Sequence, residues 1–222
     1  IPLFVEDISF KSSYKIENQN DDLDDHHYNS YNTIINWWKE MTFKLNSNKI
    51  IPNKIKFLDF PRVNYISLEE SVERREKLTS QFFDCGIETI HGLISKRFSE
   101  CDDKVYGEQL HILDDGTTGC VVSHIKMIKK WYEETDEDYA FFCEDDLSLE
   151  TVQYGNFTWN DFVNILPDDA ECVQLCCIKT SYDDIKLRER SMYDWSVTAY
   201  ILTRDYARKI IERYCDGDSY RL

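Results

Sequence analysis

Residues 138–149 read DYAFFCEDDLSL, and the fold turns on how this stretch is read. Five uncharged, mostly apolar residues, Tyr139 to Cys143, run directly into Glu144, Asp145 and Asp146. A short apolar run with aromatics, bounded by polar residues, fits a strand buried on both faces. In an open α/β sheet, ligands bind in the crevice outside the strands' carboxyl ends. Acids clustered there repel one another and are costly to bury unless something cationic compensates. A hard divalent cation with oxygen ligands is the natural compensator. The alternative is a solvated acidic turn without an ion.

The flanking segments supply the rest of an α/β pattern. VNYISL, Val63 to Leu68, predicts a first strand, and residues 69–86 a helix stopped by Gly86. IETIHG, Ile87 to Gly92, predicts a second strand, which makes a parallel βαβ unit. Residues 93–116 are polar and irregular and suit a loop over a site. In GTTGCVVSHIKMIKKWYEE, residues 116–134, Val121, Ile125, Ile128 and Tyr132 repeat at helical spacing. Thr117 or Thr118 would cap this helix. A buried N-terminus there favours an anionic ligand. FTWNDFVNIL suggests a short helix and ECVQLCC a strand. DWSVTAYILT suggests a last strand, feeding a helix through Ala207, Ile210, Ile211 and Tyr214.

The chain of 222 residues suits one domain plus an extension, and 42% hydrophobic residues exclude a disordered chain. A net charge of −16 argues against a general nucleic-acid or anionic-membrane surface. No apolar run is long enough to span a bilayer. The opening IPLFVEDISF has acids and no basic region, so it does not read as a signal peptide. The eight cysteines form no CxxC pair and no His/Cys spacing typical of zinc. Several lie in apolar runs, which points to a reducing, cytoplasmic setting.

Residues 1–61 read as an N-terminal extension. It holds a helix with Ile34, Trp37, Trp38, Met41 and Leu45 on one face. His26 and His27, beside aspartates, read as a solvated loop rather than a metal site. Residues 46–61, with two prolines, read as a connector to a domain spanning 62–222.

Four landmarks stand in order: YISLEESVERR (65–75), GTTGCVVSHIKMIKKW (116–131), YAFFCEDDL (139–147) and YDWSVTAYILTRDYARKII (193–211). Together they resemble glycosyltransferase family 25, which includes lipooligosaccharide and procollagen hydroxylysine galactosyltransferases. The resemblance covers roughly residues 62–214. It implies a GT-A-type, Rossmann-like α/β/α sandwich that binds a nucleotide sugar. It also implies an acidic motif holding Mn²⁺ against the diphosphate, and an inverting transfer, often from UDP-galactose, with UDP-glucose open as donor. The acceptor would be a glycan or a protein hydroxylysine. The collagen-modifying branch would place the protein in the ER lumen instead. The sequence departs from the family where Ser67 replaces an asparagine in the first strand. It also lacks a recognisable Pro-Val-Asp-like segment after the last helix.

The resemblance implies that the Glu144-Asp145-Asp146 motif holds the metal, through Asp146 with help from Glu144 or Asp145; Glu144 is taken as the second ligand and Asp145 as a candidate substrate contact. Such a transfer needs charge on the departing diphosphate neutralised and a proton removed from the acceptor hydroxyl. Arg74 would bridge to phosphate, or else pair with Glu70 or Glu73 as an exposed helix charge. Arg75 reads as solvated. Ser67, Ser123 and His124 are candidate donor contacts, and Cys120 serves the turn rather than acting as a nucleophile. Tyr193, Trp195 and Tyr200 would line a sugar or acceptor pocket or pack in the core. Asp194 is the candidate general base.

Overall fold

The computed structural model describes residues 6–7, 51–107, 113–150, 152, 157–175 and 196–222. The predicted helix over Ile34 to Leu45, His26 and His27 lie outside these residues. So do Tyr193, Asp194 and Trp195.

The acid-tipped stretch is a strand, β5 (Tyr139–Glu144), at the centre of a five-stranded sheet. The other strands are β2 (Val63–Leu68), β3 (Ile90–Ser95), β7 (Cys172–Gln174) and β8 (Ala199–Thr203). Their order is β3-β2-β5-β8-β7. β2 runs parallel to both β3 and β5, whereas β8 is antiparallel to β5 and to β7. The sheet is thus mixed. β2 has the span expected for it, while β3 lies three residues further along than the predicted Ile87–Gly92.

Side-chain alternation along β5 divides the interior into two layers. Phe141 and Cys143 join Leu78 and Phe82 of helix α2 (Val72–Asp84) on one face. Ala140 and Phe142 join Met127, Ile128 and Trp131 of α3 (Asp115–Glu134) on the other. Ala207 of α5 (Arg204–Tyr214) lies with α3. Strands covered on both faces need apolar side chains on both, so YAFFC has no polar alternation. Gly86 ends α2 with φ of 86°, a left-handed conformation that glycine adopts without a Cβ penalty.

The described part of the connector, residues 51–61, contributes to this core. It forms a single helical turn, α1 (Asn53–Lys56), after which Phe57 is buried and Phe60 stacks near Phe141 and Trp159. Trp159 and Phe162 come from the short helix α4 (Trp159–Val163), capped by Thr158 in a reciprocal capping box with Asp161.

Two smaller sheets complete the description. β1 (Glu6–Asp7) pairs antiparallel with β6 (Leu147–Ser148), next to the acid triplet. After α5, β9 (Cys215–Asp216) and β10 (Ser219–Arg221) form a hairpin. β10 lies parallel to β4 (Lys104–Tyr106). The last residues, unrecognisable from sequence, are therefore built into a sheet. Tyr220 is buried against Val122 and Ile125 of α3.

Candidate functional site

Connectivity places the site. From β2 the chain crosses through α2 to β3 on one side, then through α3 to β5 on the other. The strand order therefore reverses between β2 and β5. The crevice outside their carboxyl ends is the favoured ligand position in such sheets. Ser67 and Leu68 end β2 there, Glu144 ends β5, and Asp145 and Asp146 form the turn that follows it. Together with Arg74 they line a cleft of about 190 Å³. The lining also includes Ser95, which ends β3 beside Leu68, and Lys96, Arg97 and Phe98 after it, from the segment read as a loop over a site. The triplet is no solvated turn: Asp145 is buried and Asp146 only 12% exposed.

Each acid has a different setting. Asp145 accepts a 2.5 Å hydrogen bond from Ser67 Oγ and lies 3.4 Å from Arg74 Nη1. It thereby ties Arg74 to the end of β5 while still lining the cleft. Asp146 Oδ2 is 3.7 Å from the same guanidinium nitrogen. The charge partners of Arg74 are these two aspartates rather than Glu70, whose carboxylate faces Arg97 at 3.8 Å.

Glu144 faces α3. Its Oε1 lies 3.4 Å from both Cys120 Sγ and His124 Nε2. Burial disfavours its ionised form, but the hydrogen bond and charge of His124, the Cys120 thiol and Arg74 outweigh that. The carboxyl is held below its ordinary range. The other ring nitrogen, His124 Nδ1, is 2.9 Å from the Tyr200 hydroxyl. Tyr200 stacks on Phe142 at 5.3 Å in the core and is buried, so it belongs to packing and to His124 rather than to a sugar pocket. Burial, then the nearby thiol and carboxylate groups, push the Tyr200 hydroxyl well above its usual pKa. Burial and Glu144 likewise raise the Cys120 thiol, which keeps it protonated in the absence of a cation and unsuited to nucleophilic attack.

Cys120, His124 and Glu144 place one donor atom each within 4.8 Å of one another and could hold a metal ion. The sequence reading found no zinc-like spacing. What it missed is that Cys120 and His124 are four apart on α3 and so share a helix face. A strand residue 20 positions further on completes the group. Linear motifs do not show such a ligand.

Three other expectations are revised. Arg75 is half-buried and hydrogen-bonded to the backbone rather than simply solvated. Its guanidinium donates to Ser67 Oγ at 3.0 Å, to the Leu68 carbonyl and to the Glu69 carbonyl at 3.0 Å, and so fixes the end of β2. The cap of α3 is Asp114, which accepts from Thr117 N at 2.7 Å, rather than Thr117 or Thr118. The helix N-terminus already carries a carboxylate, which leaves less of it for an anionic ligand. Ser123 donates to Ser95 Oγ at 2.9 Å, tying α3 to the cleft wall. Gly119 lets that wall approach, because a Cβ there would lie 3.3 Å from Phe98 N.

The fold is thus a mixed α/β sheet whose switch point opens on a cleft lined by three acids, Arg74, Lys96 and Arg97. The model of glycosyltransferase family 25, described as an LPS biosynthesis protein, matches residues 60–218. The chain belongs to glycosyltransferase family 25. Membership implies a nucleotide-sugar donor and an acceptor. No curated protein matches the chain. No helix among the described residues is long and apolar enough to cross a membrane.

Proposed function

We propose that the chain transfers a hexose from a UDP-sugar to a glycan or protein hydroxylysine, with inversion, on a GT-A-type scaffold. Galactose is the first candidate sugar and glucose the second. The observation that carries this reading is the acid triplet at the β2–β5 switch point, lining a cleft with Arg74 paired to it and with Lys96 and Arg97 also in the lining.

The donor set fits a hard cation. Asp146 and Glu144 both line the cleft and offer carboxylate oxygens to such an ion, while Asp145 is hydrogen-bonded to Ser67 and paired with Arg74. Bound there, Mn²⁺ would supply Lewis-acid stabilisation of the departing diphosphate. The chain's own residues do the rest. Arg74, held by Asp145, offers a planar guanidinium to the phosphates. Lys96 and Arg97 add positive charge to the lining. Arg75 and Ser67 hold the end of β2 rigid beneath them. Asp194 is the candidate for taking the acceptor proton.

A second reading, nucleotide binding without turnover, is favoured by Ser67. A serine has no side-chain amide to offer a nucleotide, and its hydroxyl is already engaged by Asp145 and Arg75. Titration calorimetry of UDP and UDP-galactose, with Mn²⁺ and with chelator, tests both readings when followed by a transfer assay. Metal-dependent binding with transfer supports the enzyme. Binding without transfer or donor hydrolysis supports the second reading, and no binding removes both. Asp146→Ala should abolish the metal-dependent part while the far-ultraviolet circular dichroism stays unchanged.

A further inference from the structure

We propose that Cys120, His124 and Glu144 form a site for a borderline-soft divalent cation of the zinc class, which shares Glu144 with the hard-cation position at Asp146 but differs from it in its thiolate and imidazole ligands. The argument is geometric. Tetrahedral zinc with ordinary bond lengths requires S···O and N···O edges of about 3.5 and about 3.3 Å. The Cys120 Sγ–Glu144 Oε1 and His124 Nε2–Glu144 Oε1 separations are both 3.4 Å. Two edges of the tetrahedron therefore already exist, and all three donors lie within 4.8 Å of one another. Cys120 and His124 sit one turn apart on a 20-residue helix, and Glu144 ends a central strand, so rigid elements hold all three. Cys120 and Glu144 also line the cleft, which leaves a fourth position open to water or a ligand.

The surroundings match what a metal-bound histidine needs. Such a ring uses its second nitrogen to hold orientation and tautomer. Tyr200 is 2.9 Å from Nδ1 and is itself fixed by stacking on Phe142. Without a cation, the Tyr200 hydroxyl donates to Nδ1, while Nε2–H and the Cys120 thiol both donate to Glu144 Oε1. This network keeps the three ligands together. When the cation enters, Cys120 releases its thiol proton to solvent and binds as thiolate. The ring proton moves to Nδ1 and is donated to Tyr200, which frees the Nε2 lone pair. Thiolate, imidazole and carboxylate together select zinc-class ions over Mn²⁺ or Mg²⁺.

The test uses the whole chain without nucleotide, so its outcome is independent of the glycosyltransferase reading. Metal-free protein is titrated with Co²⁺ as a spectroscopic substitute, and Zn²⁺ is then used in competition. The expected result is one equivalent of Co²⁺ with tetrahedral visible absorption and a near-ultraviolet thiolate-to-cobalt charge-transfer band. Cys120→Ser keeps a hydrogen-bond donor to Glu144. It should abolish the band and weaken Zn²⁺ binding by more than about 100-fold, at an unchanged thermal midpoint. Tyr200→Phe should weaken Zn²⁺ about tenfold by removing the orienting partner. Asp146→Ala should leave the band in place. Absence of the charge-transfer band, or equal Zn²⁺ affinity in Cys120→Ser, overturns the proposal and leaves the three residues as a hydrogen-bond network.

Discussion

Replacing Arg74 with alanine should move two affinities in opposite directions. Arg74 Nη1 lies 3.4 Å from Asp145 and 3.7 Å from Asp146, so in the ligand-free protein it is a cation parked at the acid pair. A divalent ion approaching Asp146 meets that charge. At 3.7 Å and an effective dielectric of roughly 20, one unit-charge interaction is about 4 kcal/mol. The Arg74 side chain is 36% exposed, and solvent screening brings the usable part down to about 1 kcal/mol. Arg74→Ala should therefore bind Mn²⁺ alone about fivefold more tightly. The diphosphate, in contrast, loses a charge-assisted partner worth roughly 1.5–3 kcal/mol, so UDP should bind about 10- to 150-fold more weakly. Calorimetric titrations of Mn²⁺ alone, and of UDP at saturating Mn²⁺, read the two effects separately. Unchanged UDP affinity would show that Arg74 serves the acid triplet and not the ligand. Weakened Mn²⁺ binding would show that it holds Asp146 in a binding-competent position rather than competing for it.

Other substitutions probe the scaffold of the site. Ser67→Ala removes the hydroxyl bridging Asp145 and Arg75, and should lower unfolding stability by about 1.5–3 kcal/mol in urea titration, as for hydrogen bonds to charged groups. Gly119→Val places a branched side chain against the Phe98 backbone, where a single Cβ already sits at 3.3 Å. It should weaken UDP binding about tenfold through displacement of the Lys96–Phe98 wall, roughly 1.4 kcal/mol, with α3 helicity preserved. Burial raises the Tyr220 hydroxyl from 10.0 to about 12. Its neutral form thus stabilises the fold fully below pH 10, and that contribution is lost as pH rises through about 12. The thermal midpoints of the parent protein and Tyr220→Phe should differ by a constant amount below pH 10 and then diverge, the parent falling faster.

Local pattern determined a good deal. The run YAFFC fitted a doubly covered strand, because every one of its side chains suits an interior, and both faces of β5 are in fact buried. VNYISL with its following helix and Gly86 stop, and the 3.6-residue spacing after Gly116, likewise fixed β2, α2 and α3 from nearest-neighbour chemistry alone. The acid triplet at the end of β5 marked the site, since charge at a buried strand's end has no structural use without a partner.

What that partner is only tertiary structure decides. Asp145 finds Ser67 and Arg74 across 78 and 71 positions of chain, and that gives it partners its two neighbours in the triplet do not share in full. Glu144 finds Cys120 and His124 because α3 packs beside β5, a relation with no linear spacing to read. Arg75 looked like a surface charge, and its hydrogen bonds exist only because β2 ends where α2 begins. The last eight residues carried no periodic signal. They became strands because β4 offered them an edge to pair with. Periodicity and turn chemistry are local and survive in the sequence, whereas hydrogen-bond partners and ligand sets are made by packing.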